Sequence, residues 1–559
     1  MILKNLKRAG ALALCAAMIL GVMAGCTKPQ TTSSTTADTS NQNTSSENAD
    51  TTPDYMNPVG EYPITKEKVE VSAFTVTVAE APEDWNELKI YKDLSEKTNI
   101  HMNYTSAVSD AFDTQLSIKM AGNDYPDVLL MGMNASEEES YGPAGKWLDL
   151  TDLIANYMPN LQKVMNEVDE VNFGVRAMDG SIYGLPNYTA SVANVPTLSF
   201  FNSKWMERVG ITEFPKTTDE FYDLLMAFKE KDANGNGDPN DEIPFSCVGI
   251  GYFSYIQSAF QGYTGTSTVS SDWDVTDDGK VVYLPQEAGY KEYLEFCHKM
   301  YVNGLLDNDF IAQSSDDERA KVKANLVGFY NQSPTIVAGT EMAEEQQICL
   351  EPLTSPTNSK KVAIKPGFLA TTAGVITKNC KYPEAVARWF DMFYATEENA
   401  VDGFYGLTSF LGYENDTWKY TDDTKNAYSF IDPITTFTDL DKATTITYTV
   451  PAYIDLSMYI SGNVLLANKI EESKKKLEPY YREAYPAYVR FNSDESETSA
   501  LYSTDLDNYR TQMEAGFISG TQDLSQFDDF QNKLVEYGVE KLKAIKQAAY
   551  DRYVASTKQ

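Results

Sequence analysis

Apolar and polar positions along this chain follow two periods that take turns. VEVSAFTVTV (69 to 78) alternates with period two and reads as a strand, whereas DWNELKIYKDLSEKT (84 to 98) repeats its apolar positions at helical spacing. IHMNYTS (100 to 106) returns to the strand pattern, AFDTQLSIKMAG (111 to 122) reads as a helix ending on Gly122, and DVLLMG (127 to 132) as a buried strand. This β-α-β-α-β order predicts a mostly parallel sheet with helices on both faces, and ligands on such sheets bind at the carboxyl ends of the strands. The helical period recurs at PKTTDEFYDLLMAFKEK, where Phe221, Leu224, Leu225 and Phe228 form one stripe and Thr217 with Glu220 can close a capping box. Pro383 opens another such helix, with Val386, Trp389, Phe390 and Phe393 on its stripe. Aromatic residues at this spacing, Trp389 and Phe228 among them, are expected in the core.

The helix ending near 231 runs into DANGNGDPNDEIP (232 to 244), where Asp232, Asn234 and Asn236 alternate and Gly237 stands at a sharp turn, as in a calcium loop. An EF-hand would place a bidentate acid at its twelfth position. That position is Ile243, and Asp241 and Glu242 come early. Pro244 and the glycines beyond it deny a second helix. The segment is therefore read as a helix-to-strand connection with Asp232, Asn234, Asn236, Asp238, Asn240, Asp241 and Glu242 as candidate calcium ligands. That reading is preferred to a plain Asn-Gly turn, because alternating short oxygen side chains suit a hard cation.

The amino terminus carries Lys4, Lys7 and Arg8, an apolar run through Val22 and small residues before Cys26, the pattern of a secretory signal over residues 1 to 25. From Thr27 to Asp54 there is no Leu, Ile, Val or Phe, so residues 26 to 55 are read as an unfolded polar tether. The rest is large for one compact unit and suggests two lobes. A net charge of -35 argues against nucleic acid and against direct adhesion to anionic lipid. Cys247, Cys297, Cys349 and Cys380 lack any CxxC spacing and are expected as buried free thiols. His101 and His298 are the only histidines, and no GxSxG, HExxH or GxxxxGK[ST] occurs, which leaves little material for a triad, a zinc centre or an ATP site.

Several longer stretches resemble one family. Val-Met-Ala-Gly-Cys26 is similar to a bacterial lipobox, with Met23 where leucine is usual; it implies a diacylated Cys26 and a lipid anchor on the outer face of the cell membrane. NDYPDVLLMG, DGSIYGLPNYTA (179 to 190), the block from FFNSKWMERVG through NDEIPF, KYPEAVARWFDMFYATEENAVDGFYG and the terminal AIKQAAYDRY resemble bacterial extracellular solute-binding protein family 1 lipoproteins. The subgroup is that of the ABC-transporter carbohydrate binders, LplA-like and alginate-binding-protein-like. The resemblance implies an α/β type II periplasmic-binding-protein fold with two lobes, a hinge and an interlobe cleft. Lobe 1 would take residues 56–190 plus about 367–440, lobe 2 would take 191–366 plus about 441–559, and crossings are expected near Asn187 to Pro196 and Pro366 to Ala373. It also implies a structural calcium at the Asp232 loop, with an extra residue in DPNDEIP shifting Asp241 and Glu242 one place later. YGLTSFLGYEN lacks the glutamate of the subgroup's Y-G-x-E-G, which weakens transfer of any sugar contact there.

The implied function is capture of a carbohydrate, an oligosaccharide, by a monomeric membrane-anchored binder that delivers it to an ABC-transporter permease without catalysis. A ligand-presenting sensor subunit or a peptide binder remains the alternative. A carbohydrate-active hydrolase, which needs only a carboxylate pair, ranks below both. Because a sugar asks for aromatic faces beside paired donors and acceptors, the ligand candidates are Trp85, Asn187, Tyr188, Tyr252, Tyr255, Tyr330, Gln332, Phe404 and Tyr405.

Overall fold

The strands expected between 69 and 132 form and run in parallel: Val69–Thr77 pairs with Ile100–Val108, Val69 opposite Ile100, and with Val128–Leu130, Ala73 opposite Val128. The computed structural model describes residues 52–557 apart from 78–83, 191–199, 239, 264–271, 331–345, 365–367, 397–411, 422–427, 435–436, 445–449, 456–463, 483 and 487. The helix expected over 84 to 98 divides. Trp85–Glu87 is a 3-10 turn capped by the Asp84 side chain, and Leu88 is extended (φ -64, ψ 130) before Lys89–Thr98 begins. The next helix, Ser109–Gly122, keeps Gly122 as its last residue; the left-handed closing turn falls on Asn123 (φ 54).

Three further strands widen this sheet to six in the order Tyr453–Asp455, Leu185–Ala190, Phe368–Ile376, Val128–Leu130, Val69–Thr77, Ile100–Val108. Two of them hold the described parts of the stretches expected as crossings and lie side by side: Asn187 stands opposite Ala370 and Thr189 opposite Phe368, antiparallel. Tyr453–Asp455 lies beyond the 440 boundary drawn for the first lobe, yet pairs with Leu185–Ala190 in parallel, Tyr453 opposite Tyr188. The chain thus passes this edge of the sheet three times.

A second sheet, ordered Gln346–Cys349, Phe200–Asn202, Val327–Tyr330, Ile243–Phe245, has its own core. Phe201 and Phe329 pack with centroids 4.5 Å apart, and Phe245 stands edge-on to Phe329 at 4.8 Å. Against them lies Thr218–Glu230, whose capping box of Thr217 and Glu220 is formed and whose Phe221, Leu224, Leu225 and Phe228 are all buried. Burying each such side chain contributes roughly 1.5–3 kcal/mol. The carboxyl-terminal helices Ser493–Ser519, Phe527–Glu536 and Val539–Thr557 return to the same core through Leu506, Phe517, Phe530, Leu534 and Leu542. Around the first sheet a separate core includes Val71, Leu130, Leu161, Val171 and Trp389. Cys247, Cys297 and Cys380 are buried free thiols, and burial pushes Cys380 up to about 12. Cys349 lies in the strand Gln346–Cys349. No helix among the described residues is long and apolar enough to cross a membrane.

Candidate functional site

A cavity of about 500 Å³ opens where the two cores meet. One wall is the short helix Asp169–Gly174, which turns Val171 into the first core and leaves Asp169, Glu170 and Phe173 on the cavity. Thr276 and Asp277 face it from the tip of the hairpin Trp273–Val275/Val281–Tyr283. That tip is closed by the Thr276 amide on the Lys280 carbonyl and by Gly279 at φ 86, which a side chain would strain. The remaining wall is aromatic. Tyr488 meets Tyr553 ring edge to face at 5.5 Å with hydroxyls 3.3 Å apart, and Tyr550 lies 6.2 Å from Tyr553, one helical turn earlier. These rings are half-buried. Arg482 is the only cation among the described lining residues, and its guanidinium is engaged by Asp274 at 3.5 Å, by Asp277 at 3.9 Å and by the Val275 carbonyl. A space of this size lined by rings, hydroxyls and carboxylates suits a hydroxyl-rich ligand.

The Asp232 loop sits elsewhere, between Thr218–Glu230 and Ile243–Phe245. Asn236, Asp238 and Asn240 donate their backbone N–H groups to the side chains of Asn234, Asn236 and Asp238 in turn, so alternating residues curl the backbone. The Asp241 carboxylate accepts from the amides of Asn234 (2.8 Å) and Asn236 (2.7 Å), Asp232 accepts from Gly237 N–H at 3.0 Å, and Glu242 accepts from Ala233 N–H at 2.9 Å. Asp232 Oδ1 and Glu242 Oε2 are buried with no hydrogen-bond partner. Asp238 and Asn240 bond each other at the exposed end. No group of three or more His, Cys, Asp or Glu able to hold a metal occurs among the described residues, so any cation here would lean on amide and backbone oxygens as well as acids.

Among the described residues, none of the ligand candidates drawn from the sequence is on the cavity lining. Trp85 is 3% exposed and packs on Tyr104 in the first core; Tyr330 is 0% exposed beside Phe200, and burial pushes its hydroxyl far up. Both expectations are corrected: strand and loop ends that look open in sequence are covered here by neighbouring elements. Tyr255 packs edge-on to Phe221 in the second core, with its hydroxyl buried and unpartnered. Asn187 and Tyr188 lie in the strand Leu185–Ala190. The Asn187 amide donates to the Val450 carbonyl at 3.4 Å, and Tyr188 stacks near Tyr453 at 5.9 Å. Tyr252 lies in the 3-10 turn Ile250–Phe253. Gln332, Phe404 and Tyr405 lie outside the described residues, as does Cys26. The sequence candidates do not include Tyr488, Tyr550 and Tyr553, although the last two sit in AIKQAAYDRY, where their spacing of three puts both rings on one helix face.

A profile of the bacterial extracellular solute-binding proteins matches residues 77–401, more than half of the chain. The chain belongs to this family. As a whole, the solute-binding protein is 27% identical over 540 residues, 91% of its length and 95% of the relative's, to the fructooligosaccharide ABC transporter substrate-binding protein FusA of Streptococcus pneumoniae. The solved structure of that protein in complex with kestose superposes with a TM-score of 0.72 at 26% identity, covering 87% of this chain and 100% of the other. An alginate-binding protein solved without calcium ion gives 0.68 at 20% identity over 87% and 99%, a likeness of fold alone. The solute-binding protein therefore has the two-lobed α/β type II periplasmic-binding-protein fold.

Proposed function

We propose that this solute-binding protein, held at the outer face of the cell membrane by a lipid on Cys26, captures an oligosaccharide between its lobes as a monomer and hands it intact to an ABC-transporter permease. The observation that carries the reading is the aromatic cavity built from both lobes, supported by the end-to-end likeness to a fructooligosaccharide binder. Ligand that touches both walls favours the arrangement in which the walls are close, and only that difference in affinity is available to bias the hinge. The three neighbouring strand passages at Tyr188, Leu369 and Tyr453 are where such bending would be absorbed. Calcium belongs to the same reading. Asp232, Asn234, Asn236, Asp241 and Glu242 would hold it, and the two buried, unpartnered carboxylate oxygens of the loop fit a cation; its contribution would be to neutralise and tie together the loop ahead of Ile243–Phe245.

Thermal unfolding of the full chain with a panel of oligosaccharides, followed by recovery of the sugar, tests this. Ligand at 100 times its Kd adds about 2.7 kcal/mol, a readily measured rise in midpoint. A rise with the sugar recovered whole supports capture without turnover. No rise with any sugar would move a peptide or sensor role ahead, and cleaved sugar would make the chain an enzyme.

A further inference from the structure

We propose that the interlobe cavity is a subsite for uncharged sugar units that turns away anionic ones such as uronates; this rests on the sugar-capture reading and specifies its ligand. The charge around the cavity is lopsided. Asp169, Glu170 and Asp277 line it, and Asp274 stands behind Arg482, the one cation among the described lining residues. Arg482 stands within ion-pair distance of Asp274 and Asp277 and donates to the Val275 carbonyl, and Lys360 pairs with Asp277 at 3.1 Å. Three carboxylates thus line the cavity against one cation, itself ion-paired. A uronate entering here would lose water from its own charge and meet more carboxylates than cations on the lining, so desolvation and like-charge repulsion add.

Neutral sugars meet the opposite conditions. Carboxylates only accept, and sugar hydroxyls donate, so Asp169, Glu170 and Asp277 supply what a ring of hydroxyls lacks in an aromatic slot. The half-buried rings of Tyr488, Tyr550 and Tyr553 offer surface for C–H groups, and two of their hydroxyls point close enough together to share one partner. The charge rule and the stacking surface are therefore parts of one wall.

Calorimetric titration of the full chain with neutral trisaccharides (kestose, maltotriose, xylotriose) and with trigalacturonate reads the preference directly. The expected result is at least one neutral sugar bound tenfold or more tighter than trigalacturonate, with Glu170→Gln together with Asp169→Asn narrowing that ratio. Tyr553→Ala should weaken the neutral sugar tenfold or more while the ligand-free unfolding midpoint stays put; if the midpoint drops, Tyr553→Phe, which removes only the hydroxyl, must weaken it instead. Trigalacturonate binding as tightly as the neutral sugars, or neutral binding untouched by the tyrosine and carboxylate changes, overturns this inference while leaving sugar capture standing. Absence of binding by every sugar overturns both.

Discussion

Arg490 reaches from the segment ahead of the long helix Ser493–Ser519 to Glu138 in the first lobe, its Nη1 2.8 Å from Oε2, and the pair is closed off from water. The same carboxylate oxygen accepts from the hydroxyl of Thr372 at 2.7 Å, in the middle of the strand Phe368–Ile376. Arg490 also donates to the Gly174 carbonyl at 2.9 Å, at the end of the helix that walls the cavity. One ion pair therefore joins the strand Phe368–Ile376, the helix Asp169–Gly174 and the chain leading to Ser493–Ser519. Removing one partner of a buried pair leaves the other charge uncompensated, at a cost of about 3–5 kcal/mol. Arg490→Met should lower the denaturant midpoint by that order, and Glu138→Gln combined with Arg490→Met should recover part of the loss. A single-variant loss below about 1 kcal/mol would show that water reaches the pair.

Asp272 makes stability depend on pH in an unusual direction. Burial is the largest cause and pushes its carboxyl from 3.8 up to about 7, with Glu514 and Asp507 adding to the push and Arg510, 2.8 Å away, pulling against it. The folded state therefore holds this proton more tightly than the unfolded chain. Its contribution is complete below the ordinary carboxylate range and is lost as pH rises through about 7. Between about pH 6 and 8 ordinary carboxylates are already ionised. Lys546 acts in the opposite sense near the top of that window. Burial pushes it down to about 8, with Trp273, Tyr485 and Phe491 around its ammonium. Unfolding midpoints across the window should fall with rising pH in the parent chain and lose most of that slope in Asp272→Asn.

Metal in the Asp232 loop would show in the same assay at fixed pH. A chelator should lower the midpoint of the calcium-loaded chain, and Asp241→Ala, which removes the carboxylate held by both Asn234 and Asn236, should abolish the response. Identical midpoints with and without chelator would leave the loop as a hydrogen-bonded turn.

The helix Thr218–Glu230 separates capping from packing. Thr217→Ala removes a formed capping box and should cost about 1 kcal/mol. Phe228→Ala should cost about 3–5 kcal/mol, since its ring is fully buried edge-on to Trp205 at 5.5 Å and close against Gly328. Equal losses for the two would mean that the core collapses around the smaller side chain.

Periodicity alone determined much of the architecture. The alternation over 69 to 132 became the parallel strands and their helices, the stripe from Phe221 to Phe228 became a buried face, and Trp389 went into the core. These are relations between a residue and its own element, and the spacing of apolar positions reports them directly. The tertiary structure decided what spacing cannot report, namely which elements meet. Trp85 and Tyr330, candidates for sugar contact by sequence, are buried because other strands and helices cover them. The cavity joined Phe173 to Tyr488 and Tyr553, and Glu138 found Arg490 more than 350 positions away. No local pattern encodes such pairs, because their proximity comes from the chain crossing between two sheets and back.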